Sequence, residues 1–223
     1  KMMTNKSTEN YLRILYPSWL LIAIFSLMIV PSLVVVEGDA MQTAENLTSH
    51  ELIFRLGFVG SLITQILFII IPLLLYQLFK SVNKNQAVMM VVLALISVPI
   101  TMHNEIHKLS AVGLLSTPEQ MMQVLEWNTQ GQLIPYIFWG LWLFPLGHLV
   151  CKSGFFPKLF GGLLKIAGVG YVLGTLVEIL ALNSDILHIV FEVLTFGEVV
   201  FILWFAIRGI EKSKLEKTRP HTL

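Results

Sequence analysis

Residues 53–79 read IFRLGFVGSLITQILFIIIPLLLYQLF, and Arg55, two places from the start, is the only charge among them. Roughly 20 such residues are enough to cross a hydrocarbon layer of about 30 Å, so this run reads as a transmembrane helix. Five more runs, at about 11–36, 87–107, 133–150, 159–182 and 186–207, have the same character. The expected fold is all-α: a six-transmembrane-helix bundle in one membrane domain over 1–223. The first run is too long for the apolar core of a signal peptide, and no small-x-small cleavage site follows it, so it is read as a helix.

The whole composition agrees. The chain has 223 residues, of which 55% are hydrophobic and 13% charged, with mean hydropathy +0.75. A soluble globular chain carries about 25% charged residues. Lysine plus arginine is 15 against 14 for aspartate plus glutamate, so the basic excess of a nucleic-acid binder is absent and no nucleic-acid partner is expected. Cys151, the single cysteine, has no partner for an internal disulfide.

Cations set the orientation, because cytoplasmic loops collect them. Six spans put both termini on one side, together with Lys1, Lys6, Arg13, Lys80, Lys84, Lys152, Lys158, Lys165, Arg208, Lys212, Lys214, Lys217 and Arg219. Arg55 and Lys108 alone fall on the other side, so both termini are expected in the cytoplasm. The cell membrane, a bacterial inner or plasma membrane, is the expected location. The acids fall the opposite way: Glu37, Asp39, Glu45, Glu51, Glu105, Glu119, Glu126 and Asp185 lie in outer loops or at outer helix ends. Those outer loops, 37–52 and 108–132, are also the long ones, which places any localised function on the outer face.

Helix-start signals punctuate the outer loops. Thr117-Pro118-Glu119-Gln120 and Thr48-Ser49-His50-Glu51 have the form of capping boxes, and Asp39-Ala40-Met41-Gln42 is a weaker third. The first opens a helix over about 118–127, with Met121, Met122, Val124 and Leu125 largely on one face. It is expected on the membrane surface or as a lid. In the fifth run Gly170 and Gly174 form a Gly-x-x-x-Gly pair, suited to close helix contact. That contact serves either the bundle itself or a homo-oligomer; the internal reading is favoured because six helices already need close packing.

Three stretches carry a resemblance when taken together. They are Gly38-Asp39 with Thr43, Asn46 and Phe54-Arg55-Leu56-Gly57; Leu75-Tyr76-Gln77-Leu78 with Val82-Asn83; and Phe138-Trp139-Gly140-Leu141-Trp142 with Gly147, Ser153-Gly154-Phe155-Phe156-Pro157-Lys158, Gly161 and Gly168 to Tyr171. The chain resembles an uncharacterised bacterial family of six-span membrane proteins, catalogued as a domain of unknown function, over roughly residues 10–210. The resemblance implies an all-helical integral membrane protein and brings neither an activity nor site residues.

Chemistry must therefore be read from ionisable residues inside the spans, which are costly there and are functional candidates by default. His103 and His107 end the third run, four apart on one helix face; His188 and Glu192 begin the sixth in the same relation. The two runs are antiparallel, so His107 and His188 share one height, and His103 and Glu192 lie about 5–6 Å deeper. If the helices are neighbours, the four side chains suit Zn²⁺ or another divalent metal. The alternative is a set of polar residues bonding one another at a wet helix end. A haem between His103 and His188 is a further reading, without an attachment motif to support it.

Around this point Asp39 and Glu178 are candidate general bases, and Arg55 is a candidate holder of an anionic head group. Arg55 is equally suited to an ion pair with Asp39 or Glu178. Trp127 would meet the substrate or anchor the interface. Pro99, one turn before His103, would aim the histidine face inward. Glu198 lies about 20 Å along the sixth span from Asp185, on one broad face with Thr195, Glu192 and His188. With Thr64 and Gln65 at middle depth in the second span, it suggests a proton or cation path; structural hydrogen bonding is the simpler account. The leading expectation is metal-dependent hydrolysis of a membrane lipid or other amphiphilic small molecule entering from the bilayer. The alternatives are a non-enzymatic sensor, assembly or immunity-type factor, and a proton-coupled small-molecule transporter.

Overall fold

The computed structural model describes residues 5–182 and 184–210. The positions Lys1, Lys212, Lys214, Lys217 and Arg219, part of the charge asymmetry, lie outside the described residues. Helices and the turns between them make up the described chain, with no strand among the described residues. The first span is α1 (Asn5–Ile24), one π-helical turn (Phe25–Ile29) and α2 (Val30–Val34). A short α3 (Ala40–Ser49) precedes the second span, α4 (Glu51–Phe79). The third joins α5 (Lys84–Asn104) to α6 (Ile106–Val112), and the fourth stacks α7 (Pro118–Gly131), α8 (Leu133–Leu141) and α9 (Leu143–Ser153). The fifth and sixth are α10 (Lys158–Ile179) and α11 (Asp185–Arg208).

Six stretches are long and apolar enough to cross a membrane: Lys6–Val34, Glu51–Phe79, Lys84–Val112, Pro118–Ser153, Lys158–Ile179 and Asp185–Arg208. Helices satisfy their backbone hydrogen bonds internally, which a lipid interior demands. Each span packs on its neighbours in sequence, and α11 packs back on α1, so the six form a closed ring. The third span is flanked by the second and fourth, the sixth by the fifth and first. The third and sixth therefore occupy opposed places in the ring.

Polar contacts between chain ends close the ring. Arg13 Nε donates to the carbonyl of Ala206 at 3.0 Å and Arg13 Nη2 to that of Ile207 at 3.0 Å. These are carbonyls that the last turn of a helix leaves without intrahelical partners. The Ile210 amide donates to Glu9 Oε1 at 2.9 Å. Between them Gly209 takes φ +67°, and a side chain there would run into the Glu9 carboxylate.

Glycines set the close approach of the later spans. A Cβ on Gly140 would lie 2.8 Å from the Gly168 carbonyl oxygen, and one on Gly147 would lie 2.6 Å from that of Gly161. The fourth and fifth helices thus meet backbone to backbone at two levels. Gly170 and Gly174 both face Phe191 of the sixth span, so the Gly-x-x-x-Gly pair is spent inside the chain.

Two cores fill the ring. The larger, toward the termini, is aromatic: Tyr16, Phe79, Trp142, Phe155, Phe201 and Phe205 are fully buried in it. Phe155 and Phe156 come from the 154–157 turn, which folds them under the bundle against Phe79, Phe201 and Phe205. The smaller core, at the opposite end, joins Val30, Val34, Ala44, Leu47, Phe54, Ala111, Met121, Val124 and Leu125. There α3 and α6 both pack on α7, forming a cap. The fourth span is 36 residues long, about 54 Å of helix against about 30 Å of hydrocarbon, so its first turns stand clear of the membrane. The helix expected over 118–127 is accordingly the N-terminal part of the fourth span, preceding α8, and its Met121, Val124 and Leu125 are buried in the cap.

Of the three expected capping boxes only the weakest caps a helix. Asp39 Oδ1 accepts from the Gln42 amide at 2.9 Å. The Thr117 and Thr48 hydroxyls instead donate back to the carbonyls of Leu114 and Ala44, at 3.2 and 2.8 Å.

Candidate functional site

Buried and half-buried ionisable and polar side chains are distributed through the bundle, and they do not include the histidines expected to hold a metal. Glu198 in the sixth span, 5% exposed, accepts a hydrogen bond from Tyr16 Oη of the first span at 3.2 Å. Tyr171 of the fifth span and Tyr136 of the fourth are half-buried tyrosines in the same ring of spans. Glu105 is fully buried and pairs with Lys108, whose Nζ stands 3.0 Å from Oε2 and 3.1 Å from Oε1. Five different spans thus contribute polar groups between mid-bundle and the cap.

Local sequence explains the Glu105–Lys108 pair. Ser97, Thr101, Glu105 and Lys108 recur at spacings of four, four and three, so they share a helix face, and all four are buried. The helix breaks at Glu105, between α5 and α6. A reciprocal amide bridge fixes the break: Asn104 Nδ2 donates to the Asn128 carbonyl at 2.7 Å, and Asn128 Nδ2 to the Asn104 carbonyl at 3.0 Å. Asn104 also reaches Gln132 Oε1 at 3.4 Å. Gly131 makes room, since a Cβ there would lie 2.6 Å from Asn104 Cγ. One helical register deeper, Trp139 Nε1 donates to Ser97 Oγ at 3.1 Å.

The residues expected to hold a metal are not brought together: the third and sixth spans, on whose adjacency that reading depends, are not packed neighbours in the ring. His103 and Glu192 are exposed, His107 and His188 half-buried. The physical reason is that the third span buries its Ser97–Lys108 face, which turns His103 outward. Pro99 lies inside α5 without turning His103 inward. His107 lies edge-on to Trp127, ring centroids 6.2 Å apart, and Trp127 is 50% exposed. His188 Nδ1 stands 3.8 Å from Glu178 Oε2. Among the described residues, no group of three or more His, Cys, Asp or Glu side chains is arranged to hold a metal ion.

The remaining candidates have local partners. Asp39 caps α3. Arg55 pairs with Glu51, one turn away on α4, at 2.7 Å, in place of the expected Asp39 or Glu178. Glu178 is exposed at the C-terminal end of α10. Glu198 was visible in the sequence; Glu105 and Lys108 were not singled out, although their spacing from Ser97 and Thr101 is the signal that finds them.

Residues 14–209 match the family described as "Domain of unknown function (DUF4386)". A protein of Archaeoglobus fulgidus, described as an uncharacterized protein, is 32% identical over 164 residues, 73% of this chain and 89% of that one. No solved structure matches.

Proposed function

We propose that this chain, which belongs to the DUF4386 family, is an integral protein of the cell membrane, with both termini in the cytoplasm, that couples proton movement to the passage of a small molecule. The orientation rests on the thirteen cations on the termini side against two on the other. The coupling rests on one observation: Glu198 is buried at mid-bundle and hydrogen-bonded to Tyr16, with a second buried ionisable pair, Glu105–Lys108, toward the cap. Carboxylates inside spans are characteristic of proton relays, because only a protein interior makes them tolerable in lipid. In this reading Glu198 takes up and releases the proton and Tyr16 positions its carboxylate. The Glu105–Lys108 pair exchanges charge with the outer side.

Reconstitution into vesicles that enclose a pH-sensitive dye tests it. Glu198→Gln is expected to abolish protein-dependent proton flux while leaving elution and thermal unfolding unchanged. Wild-type flux in that variant would refute the role of Glu198.

A zinc-dependent hydrolase would need His103, His107, His188 and Glu192 to converge. They stand on opposed helices, two of them exposed, so no observation favours that reading over the proton path.

A further inference from the structure

Polar side chains inside these helices follow a rule, and two serines break it. Buried hydroxyls in a helix ordinarily relieve themselves by bonding back to a carbonyl three or four residues earlier. Thr64 does so to Ser61, Ser97 to Ala94, Thr101 to Ser97 and Thr175 to Tyr171, at 2.7–3.0 Å. Ser26 and Ser61 do not: each is 1% exposed, and the hydroxyl oxygen of each makes no hydrogen bond. Gln65, 3% exposed, likewise leaves its Oε1 without a partner.

Three of these groups share one stretch of α4 and the fourth abuts it at Gly60. Ser61, Thr64 and Gln65 are neighbours on successive turns of α4, with Gln65 Nε2 3.5 Å from Thr64 Oγ1. Ser26 stands across from them, its hydroxyl directly against Gly60, where any Cβ would collide with it. Ser26 also lies in the single π-helical turn of the first span, where the Val30 amide bonds to the Phe25 carbonyl, five residues back. A π turn takes a residue out of the ordinary ladder and is found mostly at functional positions. Gln65 is the middle residue of the 29-residue α4, so the cluster sits near the centre of the membrane.

From this placement we infer that Ser26, Ser61, Thr64 and Gln65 form a site for a monovalent metal cation, sodium, between the first and second spans. Gln65 Oε1 can only accept, so it calls for a donor or a cation, and the serine oxygens have lone pairs to give. Every oxygen in the set is neutral. A divalent ion without a carboxylate would be an uncompensated charge at low dielectric, whereas a single positive charge is the smaller burden that neutral hydroxyl and amide oxygens can share. The site does not involve Glu198 and goes beyond the proton path.

Thermal unfolding of the purified full chain in detergent tests it, in sodium, potassium or choline chloride at equal ionic strength. Saturating sodium is expected to raise the midpoint by about 5–10 °C over choline. Ser26→Ala with Ser61→Ala, which removes two unpaired hydroxyls, is expected to fold as well as wild type in choline and to lose the sodium shift. Glu198→Gln is expected to keep it, which separates this site from the proton path. Equal midpoints in all three salts, as a cluster filled by water alone would give, overturn the inference. So does a sodium shift that survives in the double serine variant.

Discussion

At the scale of single residues, the energetics centre on Glu105 and Lys108. Both leave water on folding, and each charge is tolerable only because the other stands 3.0 Å away. Lys108→Met leaves the Glu105 carboxylate buried alone and is expected to cost about 3–5 kcal/mol. Adding Glu105→Gln removes the stranded charge and is expected to recover most of that loss, which thermal unfolding of the two variants in detergent will show. The histidines behave oppositely. His103 is exposed and His188 half-buried at the helix end, so His103→Ala together with His188→Ala is expected to change stability by no more than about 0.5 kcal/mol. Metal analysis of wild-type protein is the companion measurement: stoichiometric zinc lost in the double variant would reinstate the metal reading. Both stripes of the third span, 97–101–105–108 and 103–107, have helical spacing, and spacing alone cannot say which one turns inward. Burial of the first is decided by the fourth span, through Asn128, Gln132 and Trp139.

At the scale of elements, the fourth and fifth spans are held by what is missing from them. Gly161 sits where a Cβ would lie 2.5 Å from the Gly147 carbonyl oxygen, whereas its neighbour Gly162 has nothing within 4 Å of that position. Gly161→Ala is therefore expected to destabilise the protein by about 1–3 kcal/mol. Gly162→Ala is expected to stabilise it by about 0.5–1 kcal/mol, since only the entropic cost of a helical glycine is removed. Equal effects of the two substitutions on thermal unfolding would contradict this packing. Helix ends show how far local signals reach. Asn83 and Ser184 cap α5 and α11 through the amides of Gln86 and Leu187, and neither was singled out as a capping box. The two better-formed boxes, at Thr48 and Thr117, gave their hydroxyls to the preceding turn instead.

At the scale of the whole molecule, the ring is closed and aromatic toward the termini, while the opposite end carries the cap of α3, α6 and α7. In the proposed topology, which the cation asymmetry supports, the cap faces outward. In a Cys151→Ser background, a cysteine introduced by S116C, in the exposed turn before α7, is expected to react with a membrane-impermeant maleimide on intact cells. One introduced by S81C, in the turn after α4, is expected to react only after permeabilisation. The reverse pattern would invert the topology.

Six spans and an all-helical fold were written in the sequence, because a run of about 20 apolar residues has one stable form in lipid and needs no distant partner to adopt it. Glu198 was legible for a similar reason: a carboxylate in an apolar run is conspicuous wherever it faces. The site as a whole was not. Glu198, Glu105 and Lys108 are buried only because the ring seats the third span between the second and fourth, and the sixth between the fifth and first. Which face of a helix is buried, and which helices are neighbours, are contacts between residues far apart in the chain, and tertiary packing alone decides them.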